Sequence, residues 1–349
     1  MTSTPTPDVL EQLTQHLDEL QLPFDIRGSD EALVMAEQVR SQITDHILPR
    51  LNSLDAPLLA VVGGSTGAGK STLVNALVGR VISRSGAIRP TTRQPVLVHH
   101  PDDAAWFQGT RILPSLPRVT LAEGADATEG RGAAFGTALH LVESDRMARG
   151  IAVLDAPDID SVSKENRDLA GQLLRAADLW VFVTTAHRYA DAVPWGVLDQ
   201  AAKRDITAAV VMNRIPAQHG VAEELGEHLG QMLNERGVDA ERVFLIHEGP
   251  LTDSNLLESD EVDALNSWIL DLAKDASARA AIARRTLGGA LAGTASSLED
   301  VASQVAEQED EQARLAGLAR AEFDTAEEEI NQLTRDGVLL RGEVLARWQ

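Results

Sequence analysis

The 349-residue chain contains no cysteine. That excludes a disulfide framework, a thiolate-held zinc or iron–sulfur site and thiol catalysis. Aromatic residues make up only 3%, with Tyr189 the single tyrosine, which argues against a ring platform for stacking bases. Basic residues are scarce: 31 Lys and Arg stand against 53 Asp and Glu, a formal charge of −22. A surface that grips a phosphate backbone is built from the opposite sign, so nucleic acid is not an expected partner. No apolar run approaches the roughly 18–20 residues that span a bilayer. The N-terminus has neither the basic nor the apolar region of a signal peptide. These absences point to a cytoplasmic chain. At 44% hydrophobic residues it has the means to bury a sizeable core.

Residues 1–7 are Thr, Ser and Pro and predict a disordered tail. Leu10, Leu13, Leu17 and Leu20 then recur at steps of three and four, one face of a helix. A second stripe runs from Leu33 through Ala36, Val39, Ile43 and Ile47 to Leu51, with a bend expected near Pro49. Residues 8–55 are therefore read as N-terminal helices. From 56 to 270 short apolar runs (58–62, 95–100, 151–155, 179–185, 207–213 and 243–246) alternate with helical patterns at 71–79, 164–177, 190–204 and 221–236. Several runs are continuously apolar, as in parallel strands covered on both faces. This alternation predicts an α/β domain with a doubly wound, mostly parallel sheet. The Pro-, Gly- and Ala-rich stretch 101–137 reads as a flexible insertion. Residues 271–349 are rich in Ala, Glu, Gln, Leu and Arg and read as C-terminal helices that join the N-terminal ones in a bundle. Their apolar stripe skips at Gln308 and Gln312, so it is not a clean heptad. Apolar residues recur up to position 349 without a stop signal, so this helical region is expected to be truncated.

The sharpest motif is Gly64-Ser65-Thr66-Gly67-Ala68-Gly69-Lys70-Ser71, a G-x-x-x-x-G-K-[ST] phosphate loop followed by Thr72. An apolar strand precedes it and a helix follows. The glycines allow successive N–H groups to converge on an anion at a helix N-terminus. Lys70 can reach the β- and γ-phosphates, and the Ser71 hydroxyl can ligand Mg²⁺. Asp155 closes the apolar run 151–155 and is the expected metal carboxylate. Thr91 and Thr92 lie in a loop before another strand, where a hydroxyl could close over the metal.

The run GKSTLVNALVG at 69–79 resembles the TrmE–Era-type and dynamin-like GTPases. The segment TTRQPVLV resembles dynamin switch I and places the switch threonine at Thr92. LDAPDIDS resembles the D-x-P-G of switch II. DAPDIDS, RYADAVPW and VMNRIP look more narrowly like actinobacterial dynamin-like GTPases. The resemblance implies GTP and GDP as ligands, Mg²⁺ as cofactor, and slow hydrolysis coupled to movement of a helical domain and to dimerisation, as a homodimer or with a paired dynamin-like partner. It also implies membrane remodelling or maintenance, with the chain peripheral to the inner face of the cell membrane through parts beyond it. The implied catalytic residues are Lys70, Thr92 and Thr66. The metal set is Ser71, Thr92 and Asp155, and Asp158, Asn213 and Arg214 join the loop at the nucleotide.

Three departures qualify this reading. Asp158 stands where the family has glycine, and its carboxylate would repel a phosphate unless it points away. Ile159 stands where Ras-like proteins orient water with Gln. Asn213 can bond the purine and the Arg214 stem can cover it, but Pro216 replaces the aspartate that reads guanine. An Era-type GTPase on ribosomes or RNA, a binding scaffold with little hydrolysis, and an ATPase therefore remain alternatives.

Overall fold

The computed structural model describes residues 6–83, 94–121, 138–161, 163–336 and 347–348. Its strands are β1 (Leu58–Gly64), β2 (Val96–His99), β3 (Arg118–Thr120), β4 (Leu139–Glu143), β5 (Ile151–Asp155), β6 (Leu179–Thr185), β7 (Thr207–Ile215) and β8 (Ala240–His247). Its helices are α1 (Pro7–Asp18), α2 (Ser29–Gln42), α3 (Leu48–Asn52), α4 (Lys70–Val78), α5 (Ala104–Phe107), α6 (Lys164–Arg175), α7 (Ala192–Lys203), α8 (Val221–Glu235), α9 (Ser259–Lys274) and α10 (Ala276–Arg335). The chain forms two units, residues 1–18 with 37–296, and residues 19–36 with 297–349.

The first unit is built on one eight-stranded sheet of order β3-β4-β2-β5-β1-β6-β7-β8. Among the described strands only β2 and β5 pair antiparallel; the other pairs are parallel. Alternate side chains of a strand serve opposite faces. Leu59 and Val61 pack with Leu173 of α6, Trp195 of α7 and Leu229 of α8. Leu58, Ala60 and Val62 pack on the other face with Leu73 of α4 and with Leu265 and Ile269 of α9. Both faces of β1 are covered, which is why its sequence is apolar without alternation. Each buried Leu or Val of the strand contributes about 1.5–3 kcal/mol by leaving water. The chain leaves β1 toward β2 on one side and crosses to β6 on the other. This reversal opens a crevice at the carboxyl ends of the central strands, the place where such sheets bind ligands.

Pro7 opens α1, so helix begins within the expected tail; residues 1–5 lie outside the described ones. The bend near Pro49 is a π turn at Ile43–Ile47, in which the Leu48 N–H reaches back to the Ile43 carbonyl. Pro49 has no N–H to continue an α-helical ladder, and the looser turn absorbs the gap. Just beyond, Arg50 is buried against Asp178 at the head of β6, with Nε–Oδ1 2.9 Å. The same guanidinium donates to the carbonyls of Ala56 and Pro57, both at 2.9 Å. Asp178 also accepts the Leu59 N–H at 2.8 Å. This pair therefore ties α3 to the starts of β1 and β6.

The expected flexible insertion is corrected over residues 101–121. They form a 3-10 turn at Pro101–Asp103, then α5 and β3. Phe107 and Leu113 are fully buried. The Arg118 guanidinium holds the segment by donating to the carbonyls of Phe107, Ile112, Leu113 and Leu116. Composition hid this order because one arginine satisfies carbonyls that lack a ladder partner. Residues 122–137 lie outside the described residues.

In the second unit the polar skip at Gln308 has a structural use. Gln308 is 5% exposed; its Oε1 accepts the Phe24 N–H at 2.9 Å and its Nε2 donates to the Phe24 carbonyl at 2.8 Å. Nε2 also lies 3.0 Å from the Ser29 hydroxyl. The distal part of α10 thus receives the turn that precedes α2. Among the described residues no helix is long and apolar enough to cross a membrane.

Candidate functional site

The phosphate loop connects β1 to α4, as its motif requires. Gly64, Gly67 and Gly69 have φ values of 149°, 78° and 97°. Two of them also face backbone or side chain too closely for any Cβ. One on Gly64 would meet the Val183 carbonyl oxygen at 2.1 Å, and one on Gly69 the Asn213 Nδ2 at 2.3 Å. These positions allow the loop to wrap the head of α4, with Ala68 buried and its N–H bonded to the Ser65 carbonyl at 3.1 Å. Thr72 lies in the first turn of α4 and is half-buried.

Lys70 is 3% exposed. Its Nζ donates to the carbonyls of Gly64 at 2.8 Å and Ser65 at 3.0 Å, and to Asp158 Oδ1 at 2.6 Å. The Asp158 carboxylate therefore points at the loop lysine, not away from it. Ser71 Oγ donates to Asp155 Oδ2 at 2.7 Å, and both residues are buried. Parallel pairing explains the meeting: Val62 of β1 stands opposite Asp155 of β5, so the carboxylate arrives level with the strand end that starts the loop.

Asn213 turns toward the loop, its Nδ2 donating to the Ala68 carbonyl at 3.0 Å while its Oδ1 accepts the Arg214 N–H at 2.8 Å. The pairing of β7 with β8 shifts between Met212 and Ile215. Arg214 takes the left-handed φ of 56° at this irregularity. A non-glycine residue there is uncommon, and the bulge sends Asn213 inward while Arg214 stays exposed. Beyond it, the Glu248 N–H bonds the Ile215 carbonyl at 2.8 Å, which brings the 246–250 segment beside Pro216. Thr91 and Thr92 lie outside the described residues.

Sequence reasoning missed a network around Asp160. Its Oδ1 accepts the Thr66 N–H at 2.6 Å and the Thr66 hydroxyl at 2.8 Å. Its Oδ2 accepts Arg188 Nη2 at 3.1 Å. Arg188 also donates to the Thr66 carbonyl at 3.1 Å and to Asp191 at 2.9 Å. Burial pushes the Asp160 carboxyl up, but Thr66 and Arg188 outweigh it and hold the group below its ordinary value. The segment carrying Arg188 was visible as the unusual HRYAD run after a strand. Nothing in its spacing paired it with Asp160, 28 residues earlier. Asn75 on α4 was missed too; its Oδ1 accepts the N–H groups of Ile82 and Ser83, anchoring the chain that leaves the helix. Among the described residues no cluster of three or more His, Cys, Asp or Glu could hold a metal by itself.

Known proteins give two kinds of likeness. No curated protein matches the chain. Among solved structures, a bacterial dynamin from an oligomerised pair is 14% identical, covering 100% of this chain and 65% of that one, with a TM-score of 0.43. Aquifex aeolicus Era bound to GDP and AlF4⁻ is 19% identical over 61% of this chain and 56% of its own, with a TM-score of 0.39. A dimerization-deficient mutant of Toc33 from Arabidopsis thaliana is 16% identical over 72% and 92%, with a TM-score of 0.37. The chain thus spans less than two thirds of the dynamin and of Era. In sequence, the family model described as the Dynamin family matches residues 59–213, a stretch that starts in β1, contains the phosphate loop, Asp155 and Asp160, and ends on Asn213.

Proposed function

We propose that the chain is a dynamin-like GTPase that binds GTP and GDP with Mg²⁺ and hydrolyses GTP slowly. The observation that carries this reading is the buried Lys70 at the head of α4, with Ser71 and Asp155 in contact beside it. The loop N–H groups and the helix N-terminus supply the anion site. Lys70 exchanges its bonds to loop carbonyls for bonds to phosphate oxygens. Ser71 and Asp155 are hard oxygen ligands that fit Mg²⁺, and Thr92 joins them in the proposed set. Three protein ligands are too few for a cage, which suits an ion that keeps waters and shares substrate phosphates. The bound ion would neutralise charge on the phosphates. Asn213 addresses the purine and Arg214 covers it with its aliphatic stem. Thr66 carries a hydroxyl at the γ-phosphate side, held by Asp160 until the nucleotide enters.

Residues 56–270 form the proposed nucleotide domain, with 8–55 and 271–349 as its helical flanks. The contacts of Gln308 with Phe24 and Ser29 support the sharing of one bundle by the two flanks. GTP-dependent homodimerisation, peripheral membrane association and a role in membrane maintenance complete the proposal, on the likeness of residues 59–213 to dynamins. A charge of −22 counts against RNA. One observation favours a second reading, an NTPase of relaxed base choice: Pro216 offers no carboxylate to guanine.

Calorimetric competition of GTP with ATP, with turnover measured on the same sample, separates the readings. GTP bound over ATP by more than about tenfold, roughly 1.4 kcal/mol, supports the GTPase. Equal affinities support relaxed specificity. Lys70→Ala should abolish binding; affinity within about threefold of wild type would overturn both readings.

A further inference from the structure

Lys70 is saturated. An ammonium carries three N–H donors. Here they meet three acceptors, the carbonyls of Gly64 and Ser65 and the carboxylate of Asp158. The carboxylate bond is the shortest of the three at 2.6 Å, and Asp158 is itself mostly buried, its side chain 16% exposed. Its neighbours are closed on the same loop. The Ile159 N–H points to the Gly64 carbonyl at 3.4 Å, and Asp160 holds both the N–H and hydroxyl of Thr66. Three consecutive residues therefore clamp the loop through a cation, a carbonyl and a pair of donors.

We propose that Asp158 is a specificity-determining residue that sets the preference of this site between nucleoside diphosphate and triphosphate. The proposal rests on the nucleotide reading above. A diphosphate needs the loop N–H groups and one donor of Lys70, which a loop carbonyl can release. A triphosphate asks the same ammonium for a second donor. The other loop carbonyl can yield that donor, but the added phosphate then meets the carboxylate that touches the same ammonium at 2.6 Å. The two anions repel at contact distance in a site with little water. The third phosphate must therefore expel the carboxylate. Expulsion of Asp158 pulls on Ile159 and Asp160 and opens their contacts with Gly64 and Thr66. The diphosphate pays none of this, so the side chain acts selectively on the third phosphate. It also couples that phosphate to release of the 158–160 segment.

The test is isothermal titration calorimetry on the full chain in Mg²⁺, with GDP and with the slowly hydrolysed analogue GTPγS. Wild type is compared with Asp158→Asn and Asp158→Gly, each checked for an unchanged circular dichroism melt. Asn keeps the size and removes the charge; Gly removes the side chain. We expect the GTPγS-to-GDP affinity ratio to rise by at least about fivefold, roughly 1 kcal/mol, in either variant that retains the fold. The rise should come from tighter GTPγS, with GDP held within about twofold, under roughly 0.5 kcal/mol. A ratio that moves by less than about fivefold in both variants overturns the proposal and leaves the nucleotide reading intact. Wild type that binds neither nucleotide overturns that reading and this proposal with it.

Discussion

The first unit should lose stability as pH falls through the range where an ordinary histidine titrates, because His46 is buried in its neutral form. His46 sits in the π turn, 3% exposed, with Nδ1 3.0 Å from the Ala176 carbonyl and Nε2 buried without a hydrogen-bond partner. Burial is the largest influence on it; Asp178 opposes, while Arg50 and Arg204 act with burial. Together they depress its pKa from 6.5 to about 4. The direction follows from proton counting. Between these two values the unfolded chain holds a proton on His46 that the folded chain refuses, so unfolding gains from acid. Stability is complete above about pH 6.5 and falls toward pH 4, below which the loss is saturated. The full shift corresponds to about 3 kcal/mol, and about 2 kcal/mol of that is lost between pH 7.5 and pH 5. Other groups titrate as well: His140 is also depressed by burial and adds in the same direction. Asp160, held below its ordinary value, contributes stability that is lost only at lower pH. The assay is therefore a difference. Urea unfolding of wild type and His46→Gln is followed by tryptophan fluorescence at both pH values. Wild type should lose about 2 kcal/mol more than the variant on acidification. An equal loss in both chains would refute a neutral buried His46.

Arg188→Ala removes bonds to Thr66, Asp160 and Asp191 at once. Because the arginine is partly exposed, it should cost only about 1 kcal/mol of stability in thermal melts while speeding hydrogen exchange at the Thr66 amide. Asn213→Ala should weaken nucleotide binding by about tenfold in calorimetry, since it loses the bond that holds the Ala68 carbonyl and, with it, the proposed purine contact. Gln308→Leu leaves the N–H and carbonyl of Phe24 without their partner. A loss of about 1–3 kcal/mol in the second unit is expected from circular dichroism, and an unchanged melt would show that water replaces the amide. Thr92→Ala should slow hydrolysis with binding retained; equal turnover would remove the threonine from the proposed metal set.

Much of the sheet was legible because burial on both faces writes a strong signal. The runs at 58–62, 151–155 and 179–185 each coincide with a strand. The helices at 70–78, 164–175 and 221–235 fall within a residue or two of their periodic stripes. What was not legible is β3, three residues long and partly exposed, and β4, whose inclusion is set by pairing with β2 and β3. A short strand, whether at the edge as β3 is or beside it as β4 is, takes its existence from a neighbour, and a neighbour distant in sequence leaves no local pattern. The π turn at Ile43–Ile47 is a milder case: proline marked a disturbance, but not that a looser turn would carry the helix on into α3, where the buried Arg50–Asp178 pair holds it.

The candidate site divides in the same way. The loop proposed to receive phosphate was readable, since Gly64, Gly67, Gly69, Lys70 and Ser71 are fixed by spacing along one segment between β1 and α4. Asp155 was readable through the sheet, because a strand-end carboxylate beside β1 has one place to go. Asp158 was readable as a departure but not in its direction. A carboxylate beside a phosphate site was expected to repel the phosphate unless it pointed away, yet it turns to the ammonium of Lys70. The same side chain that meets the lysine is the one proposed to oppose a third phosphate. Asp160 and Arg188 follow a similar logic, each compensating a charge that the other would leave uncovered at Thr66. Sequence spacing reports how backbone is shaped for a ligand. Which carboxylate answers which cation is decided by the fold, and around this loop the answers are Asp158 for Lys70 and Asp160 for Arg188.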